Sequence, residues 1–117
     1  MTHVAAGQLD LLAGPPRPTW ARGSGIDDAW WGFHERHPEV YEALAHMAHE
    51  LLRQGHRHLG IAMLWEALRY TTMLGAAPGE SPFRLNNVHR SRYARLLMER
   101  DERLTGVFET RELRSQQ

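Results

Sequence analysis

The residues of this chain best suited to chemistry lie together between Ser81 and Asp101, in SPFRLNNVHRSRYARLLMERD. From Arg84 to Arg100 this stretch holds five arginines (84, 90, 92, 95 and 100) against one acid, Glu99. That is a local charge of +4 in a chain whose formal net charge is zero. All 14 basic residues of the chain are Arg, so each cation can make planar, bidentate contacts to carboxylate, phosphate or guanine. On a helix that starts at Asn86-Asn87, Tyr93, Leu96 and Leu97 fall on one side. Val88, Ser91, Arg92, Arg95 and Glu99 fall on the other. An apolar back and an Arg/Ser front suit double-stranded DNA. Ser91, Arg92 and Arg95 would reach phosphates or base edges, and Arg84, Asn87, His89 and Arg90 would make positioning contacts near the helix N-terminus. The plainer alternative is a solvated helix face, with Arg95–Glu99 an ordinary i,i+4 pair.

Other constellations carry less. His46-x-x-His49, with Glu42 and Glu50 nearby, has ligand spacing for one side of a helix. These residues occupy the polar face, and no comparable second ligand set exists to complete four-fold coordination, so neither a metal nor another cofactor is expected. There is no cysteine and no Gly-rich phosphate loop. Ser91 neighbours His89 in sequence, but i,i+2 residues on a helix do not face each other. The acid pairs Asp27-Asp28 and Asp101-Glu102 sit at expected helix ends, where carboxylates cap or face water. The expectation is a protein that is not an enzyme.

The elements that must position these groups are helical. Residues 1–25, with GPPRPTW and RGSG, read as a flexible tail. A short helix over Gly25–His37 is capped by Asp27 or Ser24. Pro38 opens the next helix, which runs to about Gln54 and stops at Gly55. A third helix, from Leu59 or Gly60 to Met73, has Ile61, Leu64, Trp65 and Leu68 as its core face, with Met63, Glu66 and Tyr70 facing elsewhere. Gly75–Pro82 breaks it. Phe83–Leu85 is β-like, and Val107–Arg111 reads either as a strand pairing with it or as a final helical turn; residues 115–117 fray. The fold class is mainly α: one domain over residues 26–114, about four helices with an optional two-stranded β flap, similar to helix-turn-helix and winged-helix proteins. Asn87–Arg100 would stand in the recognition position. The Leu74–Asn86 connection is longer than that motif ordinarily has.

Composition sets outer bounds. At 117 residues, 42% hydrophobic and 24% charged, the chain suits one globular domain. No apolar run approaches the roughly 20 residues of a membrane span, and the N-terminus lacks a signal-peptide pattern, so a cytoplasmic protein without membrane contact is expected. Neutral overall charge confines any nucleic-acid contact to one face.

Two resemblances add context. Gln8-Leu9-Asp10-Leu11-Leu12, between Gly7 and Gly14, resembles the peptide with which bacterial polymerases and repair proteins bind the sliding clamp, matching all five positions. The likeness implies that Gln8 enters a polar niche and the closing apolar residues a greasy pocket, making the bacterial sliding clamp a partner. The alternative is that Leu9, Leu11 and Leu12 pack on their own domain. Across about residues 31–114, Phe33-His34…His37-Pro38-Glu39-Val40-Tyr41, Phe83-Arg84-Leu85-Asn86-Asn87…Tyr93-Ala94-Arg95-Leu96-Leu97-Met98 and Phe108-Glu109-x-Arg111 resemble small uncharacterised bacteriophage and prophage proteins. His37 stands where that group commonly has Asn. The resemblance implies a phage setting and supplies no mechanism. Two functions follow as expectations: a small DNA-binding protein tethered to the clamp, or a protein-binding adaptor or inhibitor of a host replication or defence complex. The latter's handle would be the clamp peptide or a surface rich in Trp and Arg.

Overall fold

The computed structural model describes residues 16–76 and 85–109. Four α-helices carry the fold: α1 Gly25–Arg36, α2 Pro38–Arg53, α3 Ile61–Gly75 and α4 Arg90–Arg100. Short 3-10 turns at Thr19–Ala21, Asn87–His89 and Glu102–Leu104 join and close them. This is the mainly α domain that the helical periodicities predict.

Local chemistry explains where each helix begins and ends. Ser24 Oγ accepts the Asp27 N–H (3.2 Å), so Ser24 is the cap of α1, and Asp27 and Asp28 in its first turn oppose the positive end of the dipole. Pro38 occupies the first turn of α2, where its missing N–H has no helical partner to lose. Gly55, at φ 99°, takes the left-handed conformation that ends α2. Ahead of α4, Asn86 Oδ1 accepts the Val88 N–H (3.1 Å), and the chain makes one 3-10 turn before the α-helix starts at Arg90.

Helix α2 packs on α1 and α3, and α4 lies against α2 and α3. The core is aromatic at its centre. Trp30, Trp65 and Tyr93 have no exposed surface. Tyr93 meets Trp30 edge-on (centroids 5.6 Å apart) and lies tilted against Trp65 (5.7 Å). Leu44, Leu96, Leu97 and Leu104 complete it without exposure. Trp30 and Trp65 are therefore core residues, whereas Trp20 and Trp31 are half-buried at its edge.

Two expectations change. Part of the supposed tail belongs to the domain: Ala21 is fully buried and Trp20 stacks on Trp30 at 5.6 Å. Arg17 Nε also donates to the Ala21 carbonyl (2.8 Å). The reason is that Trp20 gains an aromatic surface a tail would not reach. Of the optional β flap only Leu85 and residues 107–109 are described, and these do not pair with each other. Phe108 instead makes an isolated parallel bridge with Leu59, and the Leu59 N–H donates to the Val107 carbonyl (3.0 Å). Gly106, at φ 73°, turns the chain towards that position. Residues Phe83 and Arg84 lie outside the described residues, as do Gln8, Leu9, Asp10, Leu11 and Leu12.

Candidate interaction surface

Helix α4 does not project its arginines together into water. Arg92 Nε donates to Asp27 Oδ1 (2.7 Å), and both side chains are at most 4% exposed. Burial alone would raise the Asp27 pKa. The Arg92 hydrogen bond, the Gly23 N–H, the Arg92 charge and Ser24 outweigh it and hold the carboxyl below its ordinary value. Arg92 is thus the internal counter-ion of α1, which corrects its assignment to the outer face. His89 is buried as well, its ring stacked on Phe33 at 5.0 Å. Desolvation, with help from the Arg92 and Arg36 charges, lowers its pKa. The half-buried Arg95 lays its guanidinium over Trp20, 5.4 Å from the ring centroid. Arg100 does the same over Tyr41 at 5.5 Å. Glu99, expected to pair with Arg95, accepts the Trp20 indole N–H (2.8 Å).

Of the residues expected to contact DNA, Ser91 and Asn87 are exposed and Arg90 is half-buried; Val88 and Glu99 are exposed beside them. Asn87 Oδ1 accepts from Arg69 Nη2 (2.8 Å), and that nitrogen also donates to the Leu85 carbonyl (2.5 Å). Arg69 further pairs with Glu66 one turn away. It therefore pins the returning chain to α3. The candidate metal pair is separated in role. His49 Nε2 meets Asp101 Oδ2 at 2.6 Å, while His46 lies 3.6 Å from Glu50 at the surface. Among the described residues, no three His, Asp or Glu side chains converge as metal ligands would.

The unusual surface is on α3. This helix buries Leu64, Trp65 and Leu68, yet Met63, Tyr70, Met73 and Leu74 are 55–67% exposed. Ala67 is exposed between them. Met63, Ala67, Tyr70 and Leu74 follow one another at four, three and four residues, so they form a single stripe along the helix. At 100° per residue the stripe lies roughly opposite the buried face. Isolated exposed apolar residues are ordinary, whereas these four lie together along one helix face. Charge is kept to its margin, where Glu66 is paired with Arg69. Sequence periodicity already sets Met63 and Tyr70 apart from the core face. The missed signal was Ala67 and Leu74, which complete their stripe.

No family model, no curated protein and no solved structure matches this chain.

Proposed function

We propose that this chain is a protein-binding module of the adaptor or inhibitor class, with the outward face of α3 as its principal contact surface. The observation that carries this reading is the stripe Met63–Ala67–Tyr70–Leu74, apolar along its length and open to solvent. Its burial against an apolar helix face would remove water from surface that no described residue covers, at about 25 cal/mol per Å². Double-stranded DNA is the weaker partner. An interface needs several cations free to replace counterions, and Arg92 and Arg95 are engaged within the domain. The likeness to phage proteins supports capture of a host replication or defence complex. Gln8–Leu12 supplies a second handle, whose partner by resemblance is the bacterial sliding clamp.

A photoreactive benzoyl group at position 70 of the full chain, with a control at exposed Glu39, tests the α3 face directly. Discrete protein adducts are expected from position 70 alone in a bacterial extract, unchanged by nuclease. Absence of adducts, or adducts removed by nuclease, would overturn the reading. In parallel titrations, Gln8→Ala with Leu11→Ala should abolish binding to purified sliding clamp. Duplex DNA should show a log K against log salt slope no steeper than about −2, since few phosphate contacts are available. A steeper slope would restore the DNA reading.

A further inference from the structure

The stripe on α3 is complementary to itself about its midpoint: its smallest residue, Ala67, and its largest, Tyr70, stand at equal distances from the centre. Met63 stands four residues before Ala67, and Leu74 stands four after Tyr70, with three between the central pair. We propose that α3 pairs antiparallel with α3 of a second copy about a two-fold axis, setting Met63 opposite the partner's Leu74 and Ala67 opposite the partner's Tyr70. This rests on α3 being the contact face and names what fills it.

Size matching selects both the occupant and the direction. In the antiparallel arrangement the smallest stripe residue, Ala67, receives the largest, Tyr70, and each does so twice by symmetry. In a parallel pair Ala67 would face its own copy across a gap, and Tyr70 would collide with Tyr70. Parallel pairing would also set like ends of two helix dipoles side by side, whereas antiparallel pairing opposes them. The seam itself carries no charge. Glu66 at its edge is already neutralised by Arg69, which the Leu85 carbonyl and Asn87 hold in place. Self-pairing therefore buries no unpaired ion.

The area sets the strength. The exposed parts of Met63, Ala67, Tyr70 and Leu74 offer roughly 400 Å² per copy, below the ~800 Å² per partner of a standard interface. A reversible dimer is expected, with Kd on the order of 1–100 µM. It would present two copies of Gln8–Leu12, so a partner with two matching pockets would be held by avidity.

Sedimentation equilibrium on the full chain, from about 1 to 300 µM, should follow a monomer–dimer equilibrium. Tyr70→Glu should shift it at least tenfold towards monomer with an unchanged far-UV circular dichroism spectrum, because the position is exposed. The chain contains no cysteine, which makes the register testable. Mixed Met63→Cys and Leu74→Cys proteins, oxidised with copper–phenanthroline, should form the heterodimeric disulfide well ahead of either homodimer. A monomer throughout the concentration range overturns the pairing, and so does a Met63→Cys homodimer that forms as fast as the mixed species. A chain that stays monomeric yet still gives foreign-protein adducts from position 70 overturns self-pairing while leaving the protein-binding reading intact.

Discussion

Removing the Arg92 guanidinium would leave the Asp27 carboxylate desolvated in the first turn of α1, with the Gly23 N–H still donating to it. Arg92→Ala should therefore lower the unfolding free energy by about 3–5 kcal/mol in urea titration. Asp27→Leu combined with Arg92→Met should recover much of that, because apolar replacements abolish the desolvation cost along with the attraction. A loss under about 1 kcal/mol for Arg92→Ala would show that the pair is solvated. A second prediction concerns His34, which lies between Trp30 and Tyr93 in the aromatic core. Desolvation, then the Arg100 charge, lowers its pKa from 6.5 to about 4. The unfolded chain thus takes up a proton below about pH 6.5 that the folded chain refuses until about pH 4. Stability is fully present above 6.5 and falls as pH drops through that window, by up to roughly 3 kcal/mol, then stops falling from this cause. His89, also lowered, adds a loss of the same sign. Urea midpoints from pH 7.5 to 4 should show the fall, and His34→Phe should flatten it.

At the scale of the element, α3 is a helix with two apolar faces, and its residues should divide by face. Leu68→Ala, inside the core, should cost about 2–4 kcal/mol. Tyr70→Ala and Leu74→Ala should each change stability by no more than about 0.5 kcal/mol when measured at concentrations where the chain is monomeric. Similar costs on both faces would mean that the outer stripe is covered within a single chain. Much of α3 was legible beforehand, since Ile61, Leu64, Trp65 and Leu68 recur at helical spacing. Its outer stripe was only half seen, because periodicity describes a helix's faces without saying how many of them a small domain has neighbours to cover. For α4 the same method placed Arg92 outside. Its calculated side is only an angle, and a long side chain at the boundary can turn inward where a carboxylate waits.

For the whole molecule, neutral net charge takes on a structural meaning. Several of its arginines meet the domain's own carboxylates and rings: Arg17 with Asp28, Arg92 with Asp27, Arg95 over Trp20 and Arg100 over Tyr41. An all-Arg basic set suits such internal use, because a guanidinium is weakly hydrated and can stack and fork at once. The chain has no helix, among the described residues, long and apolar enough to cross a membrane. Among the described residues, an apolar face on α3 stands open to solvent, and the molecule's behaviour with concentration is where that face should declare itself.

The amino-acid sequence by itself determined what depends on near neighbours. It set where α1 and α2 start and where α2 stops, through Ser24, Pro38 and Gly55, and it set the helices' apolar spacing, because caps, glycine conformations and periodicity act within a few residues; Asn86 caps only the 3-10 turn ahead of α4. Tertiary structure alone decided what Arg92 is for, since its partner lies 65 residues away and exists only once α1 and α4 pack together. It also decided which of the two apolar faces of α3 remains in water, since a helix can bury only the side on which other helices arrive.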